Sequence, residues 1–543
     1  MKVEGLEDMK RLTILVCISA MAVAMWALPA RRDGRIVTQP DGTKVTIYQH
    51  GDEYFHWITN EKGEWVKMDE DGYYRVTEAL STEEIAVKRM ASPMRTASSA
   101  YPLNIAPRGL VILVEFQDIK FTTSKAEMDS MLTGKNYRRD YTYTGNGTTH
   151  HVQSTGSARQ YFYDSSNGQY NPQFDVVGPV KVKKKAEYYG KNASGFDAHP
   201  WTMVREACNL VNKSVDFSRY DNDNDGFVDF VYVIYAGYGE ADGGGENTIW
   251  PHSYALSKAG EYCVVDNKEV ELYACGNELD FETKHTMGIG PFCHEFSHVL
   301  GLPDLYTTRG QDHKTVGKWS IMDYGPYSNE ANTPPTYSAY ERFMLGWLKP
   351  RLLVEPEEVE LQELQASNNA LLISTTDTHN LIGNNPNPAT FYLLENRQQT
   401  GWDTHLPGHG LMLTKVQYSY DTWDKNTINN DANNMGVDLI EADGEEPRVS
   451  NDGYRGKAED LFPAGATEYL KIENRPIRDI QEHNGVVRFL YKLATGVENV
   501  ETEKTVIAIY NILGQKQSTL DVATLPHGTY VVVTSAGNHK IVR

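Results

Sequence analysis

The chain has 543 residues, too many for one ordinary core, so two or three domains are expected. An apolar fraction of 40%, with 33 tyrosines and 9 tryptophans, suffices for packed interiors and excludes a disordered or low-complexity chain. The formal charge of -21 repels phosphate backbones and excludes nucleic acid as an expected partner, but it selects no function by itself.

At the N-terminus, Lys10 and Arg11 precede an apolar run over residues 12–26, and small residues follow at 27–30. A basic start, an apolar middle and a small-residue end predict a secretory signal peptide over 1–30. The run is short for a membrane span, and no later segment approaches the necessary length. Export permits disulfides among Cys208, Cys263, Cys275 and Cys293; Cys263 with Cys275 would staple a hairpin, and three pairings stay open. Residues 31–100 carry short β-like runs at 44–48 and 54–58, then a polar small-residue stretch at 91–100 that reads as a linker closing a propeptide.

Residues 109–116 (GLVILVEF) and 227–236 predict buried strands. Residues 199–210 and 291–300 have helical spacing, with Pro200 suited to a first turn. From about residue 350, runs at 370–374, 391–394 and 410–416 alternate with Asn, Asp, Gly and Pro, as in a β-sandwich. Smaller runs at 506–510 and 528–534 suggest a separate β module. The expected fold class is α+β, with a catalytic domain over 101–350, a β-rich accessory domain over 351–493 and a small β domain over 494–543.

His294-Glu295-Phe296-Ser297-His298 is an HExxH motif, and on a helix its two imidazoles share one face and can hold one zinc ion. A catalytic zinc site takes a third protein ligand and keeps a place for water, which Glu295 adjoins as general base. Gly301 can turn the chain out of the helix through a left-handed conformation, and Pro303 discourages its continuation. Asp304 then returns as the expected third ligand, with Glu341 as the alternative. Downstream, SIMDY places Met322 as a Met-turn residue under the metal and Tyr324 within approach of it. Further upstream, Asp221, Asp223, Asp225 and Asp229 alternate in DNDNDGFVD around Gly226, a spacing that suits a structural calcium ion; position twelve is Tyr232, so the loop is no complete EF-hand. A turn rich in Asp and Asn without metal is the other reading.

The HExxHxxGxxD pattern with its following SIMDY resembles the metzincin clan of metallopeptidases, although the usual third ligand there is histidine. More narrowly, residues 290–306 (GPFCHEFSHVLGLPDLY), 337–347 (YSAYERFMLGW), 157–162 (SARQYF), 220–237 and 250–253 (WPHS) resemble the M6, immune inhibitor A-like family. Residues 392–399, 406–410 and 441–444 extend the likeness to about residue 465. The resemblance implies a zincin-like domain in an extracellular or surface endopeptidase, zinc-dependent, made as a precursor and acting on proteins or peptides. Residues 39–43 and 51–57 resemble the pro-segments of such precursors, which would block the cleft, and whether His50, His56 or an acidic side chain reaches the zinc stays open. Residues 510–515 (YNILGQ), 525–531 (LPHGTYV) and 540–543 (KIVR) resemble the C-terminal sorting domain of type IX secretion, which implies that machinery as a partner and a Bacteroidetes-like outer-membrane surface or exterior as the location. The rival readings are a surface binding protein that uses the β-rich domain, with the zincin domain as scaffold, and a zinc hydrolase of a non-peptide bond. Substrate preference and oligomeric state are not encoded in any motif.

Overall fold

Residues 108–115 read RGLVILVE and have no polar face, so a strand built from them must be covered on both sides. The computed structural model describes residues 26–52, 55–81, 84, 106–145, 147–193, 196–308, 313–444, 456–493, 506–534 and 537–542. The signal-peptide reading over 1–25, the linker at 91–100 and the join at 494–505 fall outside the described residues.

The central sheet has six strands: β1 (Trp26–Ala27), β2 (Arg108–Glu115), β3 (Gln173–Lys181), β4 (Val231–Tyr238), β5 (His252–Ala255) and β6 (Leu272–Leu279), in the order β1-β5-β6-β4-β2-β3. Strands β3, β2, β4 and β6 run parallel, β5 is antiparallel to β6, and β1 is antiparallel to β5. Side chains alternate across the two faces. Leu110, Ile112, Val114, Val231 and Val233 join one core with Met203, Val204 and Ala207 of helix α1 (Pro200–Val211). Val111, Leu113, Tyr232 and Ile234 join another with Phe292 and Phe296 of helix α2 (Ile289–Val299). Every residue of α2 is buried, as expected of a helix that is apolar nearly all round.

Residues 35–76 form an antiparallel meander of five strands in sequential order. It is tied to the central sheet by Gln49, whose amide donates to the Glu240 carbonyl at 2.9 Å, and by His56, which pairs with the Glu240 carboxylate at 3.0 Å.

Beyond residue 350, a five-stranded sheet (Arg351–Leu352, Leu371–Ser374, Thr390–Arg397, Gly410–Gln417, Val437–Leu439) faces a three-stranded one (Glu357–Leu361, Ile477–His483, Val486–Tyr491). Leu371, Ile373, Leu394, Leu411 and Leu413 meet Val359, Leu361, Val487 and Phe489 between the sheets. The alternate residues Leu372, Phe391, Leu393, Met412 and Val416 point the other way and share one core with α2, Trp319 and Tyr337. The sandwich is therefore there, but its larger sheet is buried on both faces and continues the interior of the preceding domain across residue 350. Residues 506–542 form a three-stranded antiparallel sheet whose core draws on its own Ile509, Val522, Leu525, Tyr530 and Val532. The chain is thus a mixed α and β protein with several sheets and few helices among the described residues.

The hairpin staple expected between Cys263 and Cys275 does not form. Cys263 lies against Cys208 of α1, while Cys275 on β6 points at His252, and all four cysteines are reduced and buried. The two elements that carry Cys263 and Cys275 belong to different sheets, which spacing in the sequence could not reveal.

Candidate metal centre and cleft

Helix α2 presents His294 and His298 four residues apart and then ends at once. Gly301 takes φ +100°; its N–H donates to the His298 carbonyl at 2.9 Å, and the Leu302 N–H donates to the Ser297 carbonyl at 3.1 Å. That double closure is a Schellman turn, and it needs a residue without Cβ at its left-handed position. The chain doubles back through Pro303 to bring Asp304 against both imidazoles. Its Oδ1 lies 3.3 Å from His294 Nε2 and 3.2 Å from His298 Nε2.

The tautomers follow from the other ring nitrogens. His294 Nδ1 lies 2.8 Å from the Ile321 carbonyl and His298 Nδ1 2.8 Å from the Leu302 carbonyl. A carbonyl can only accept, so each Nδ1 carries a proton, and in the neutral ring Nε2 is the nitrogen left with a lone pair for a metal. Those two lone pairs stand 3.1 Å apart with a carboxylate oxygen beside them, all buried. Three acceptors so close repel one another unless a cation lies between them. Tetrahedral zinc with bonds of about 2.0–2.1 Å separates its ligands by roughly 3.3–3.4 Å, so the donor set fits that ion in both chemistry and spacing. Asp304 is oriented by Asn426, whose amide nitrogen donates to Oδ2 at 2.6 Å and whose amide oxygen accepts the Asp304 N–H at 2.8 Å.

Glu295 is fully buried; burial, then the Asp304 carboxylate, push its carboxyl well above the usual range. The alternative ligand, Glu341, is used elsewhere: it closes a capping box with Ser338 at the start of helix α3 (Ala339–Met344) and accepts from Ser320. Met322 is fully buried in the core shared with α2. Its turn is held by the Gly325 N–H donating to the Ser320 carbonyl at 2.9 Å and by the Met322 carbonyl accepting from the Leu305 N–H at 2.8 Å. Tyr324 packs with Tyr327 and Leu28.

Leu28 is the residue that the sequence reading did not anticipate here. Strand β1 pairs antiparallel with the edge strand β5, placing Trp26 opposite Ser253 and Ala27 opposite His252. The Leu28 N–H then donates to Glu295 Oε1 at 3.0 Å. Residues 26–30, read as the end of the signal peptide, are thus seated in the cleft. Neither candidate histidine of the pro-segment reaches the metal centre: His50 bonds to Thr59 at 2.8 Å, and His56 pairs with Glu240.

Among the described residues the structure assembles one further group of potential metal ligands, Asp221, Asp223 and Asp225. Asp221 also pairs with the Lys268 ammonium. Asp229 stands apart from the group and accepts from the Asn222 backbone at 2.6 Å and side chain at 2.7 Å, while the Asn222 side chain also exchanges bonds with the backbone of Arg108. The loop is thereby tied to the start of β2.

With this geometry in view, the comparisons are specific. Residues 105–351 match the family model described as immune inhibitor A peptidase M6, catalytic domain. This segment is similar to a peptidase. The chain is 28% identical over 304 residues to the pre-pro-metalloprotease PrtV of Vibrio cholerae serotype O1, a match that covers 49% of this chain and 33% of that protein. It is 27% identical over 259 residues to immune inhibitor A of Bacillus thuringiensis subsp. alesti, covering 42% of this chain and 37% of that one. The chain thus spans about a third of the length of the curated relatives it matches. Together the matches show that residues 105–351 are similar to the catalytic segment of M6 metalloproteases.

Two groups that matter here gave no signal in the sequence. Asn426 lies 122 positions from the aspartate it orients. The carbonyls of Ile321 and Leu302 that set the tautomers are backbone atoms and leave no trace in residue type.

Proposed function

We propose that this chain is a secreted zinc-dependent metalloendopeptidase. His294, His298 and Asp304 would hold zinc, which would supply Lewis acidity that lowers the pKa of a water beside Glu295. Glu295 takes the proton from that water and delivers it to the nitrogen of the leaving amine. The Tyr324 hydroxyl donates to the oxyanion that develops as the carbonyl is attacked. The observation that carries this reading is the convergence of two bare imidazole nitrogens and one carboxylate oxygen within 3.1–3.3 Å, with Glu295 in contact with a peptide N–H beside them.

In the same reading, the catalytic domain is a metzincin-like zincin. Asp221, Asp223 and Asp225 hold a structural calcium ion, and Asp229 braces its loop from outside the group. Residues 31–100 are a propeptide, and the C-terminal sheet is a type IX-like sorting domain that directs the protein to, or beyond, a Bacteroidetes-like outer membrane. No described feature favours the binding-protein reading, because Glu295 is intact and the β-rich segment shares its core with the catalytic domain.

The test is cleavage of an unfolded protein by the full chain after limited nicking at Lys88, Arg89 or Arg95. The preparation is assayed as isolated, after chelation and after zinc is restored, with Glu295→Ala alongside. Activity should vanish with chelator, return with zinc and be absent from the variant. One bound zinc without any cleavage would reject the peptidase reading.

A further inference from the structure

The segment in the cleft is an extended peptide whose backbone and side chains have defined partners. Peptide added antiparallel to an edge strand satisfies that strand's backbone groups and sends alternate side chains to opposite sides. Trp26 and Ala27 add to β5 in this way, and residues 28–31 continue past its end along other walls of the cleft. The Trp250 indole N–H donates to the Leu28 carbonyl at 3.0 Å, the Tyr327 hydroxyl to the Pro29 carbonyl at 2.7 Å, and the Arg31 N–H to the Ala241 carbonyl at 2.9 Å. A base that protonates a leaving amine must reach the nitrogen of the cleaved bond, and Glu295 Oε1 reaches Leu28 N at 3.0 Å. The Ala27–Leu28 bond therefore stands where the cleaved bond stands, and Leu28 is the first residue after it. Its side chain is buried with Tyr324 and Tyr327.

Arg31, the fourth residue after that bond, is only 7% exposed. Its guanidinium pairs with Asp280 at 2.7 Å and also with Glu330. Both acids belong to the M6-like segment, so they stay behind when any peptide leaves. Asp280 is 2% exposed, and without a partner it is a buried, uncompensated charge. Two carboxylates set around one planar fork suit guanidinium better than ammonium.

Resting on the peptidase reading above, we propose that Asp280 and Glu330 form a subsite for a basic side chain, arginine above all, at the fourth residue after the cleaved bond, and that the Tyr324–Tyr327 pocket takes an aliphatic residue directly after it. Residues 26–31 occupy these places as a substrate would. The subsite belongs to the catalytic domain, so it does not depend on where the signal peptide is cut.

The experiment maps cut sites in an unfolded protein by mass spectrometry, using the full chain with Arg31→Glu, which repels the segment from the acidic pair, and the nicked wild-type chain as a second preparation. Cuts should precede aliphatic residues and carry arginine or lysine at the fourth position after the bond. Peptides that differ only by Arg or Ala at that position should differ roughly 10- to 150-fold in kcat/KM, the size of one charge-assisted hydrogen-bonded pair. Glu330→Gln, at the more exposed acid of the pair, should pull that ratio toward one. Chelator-sensitive cleavage that ignores the fourth position would overturn the subsite and leave the peptidase reading standing. Absence of cleavage from both preparations would reject that reading, and the subsite with it.

Discussion

Asp304 meets the two imidazoles while a distant side chain holds it from behind. Asn426 grips both its backbone N–H and its Oδ2, at 2.8 and 2.6 Å, so the remaining Oδ1 is aimed at the histidines. Groups that orient a metal ligand in this way typically contribute 10- to 100-fold in affinity. Asn426→Ala should therefore weaken zinc binding by about that factor in a competition titration against a chromophoric chelator. An unchanged affinity would mean that Asp304 is held by its turn alone. The two histidines and Glu295 are legible in sequence because the chemistry proposed for them fixes both residue type and spacing. Asn426 is not, because its partner is near only after folding.

At the scale of elements, the turn after α2 is the part on which the centre depends. Gly301 sits at φ +100° with open space around the position a Cβ would take, so the penalty for a side chain there is backbone strain and not a clash. Gly301→Ala should cost about 1–2 kcal/mol, seen in denaturant unfolding of the metal-free chain. It should also weaken zinc binding, because the return of Asp304 depends on the same turn. A variant as stable as the parent would show that the turn tolerates another conformation. Glycine three residues past the second histidine was readable as a helix exit. Strand β1 was not readable: its two residues carry no strand pattern, and they pair only because β5 offers an open edge.

For the whole molecule, the five-stranded sheet joins what composition divides at residue 350. Leu372, Phe391, Leu393, Met412 and Val416, together with Val437 and Leu439, are buried against the core that contains α2. Removing them uncovers the side chains of the first 350 residues that they cover, and at about 1.5–3 kcal/mol per large buried side chain that loss is comparable with the roughly 5–15 kcal/mol by which a domain is stable. A chain ending at residue 350 should therefore fail to fold, binding a hydrophobic dye and losing its cooperative thermal transition. A chain ending at residue 493 should keep that transition, since the C-terminal sheet draws on a core of its own. Cooperative unfolding of the 350-residue form would show that the shared core is dispensable.

The sequence by itself determined what local rules can encode. The strands at 108–115 and 231–238 follow from unbroken apolar runs, α1 and α2 from helical spacing, and the paired histidines with the glutamate between them from a motif whose geometry is built into one helix. Tertiary structure decided whatever depends on residues distant along the chain. It brought Asp304, and not Glu341, against the two imidazoles, and Glu341 caps its own helix. It placed Cys263 against Cys208, and it seated Leu28 and Arg31 in a cleft formed by residues more than two hundred positions away. The physical reason is common to all three. Spacing along a helix or strand fixes which neighbours share a face, whereas the partner across a core or cleft is settled only when burial and hydrogen bonding are satisfied together.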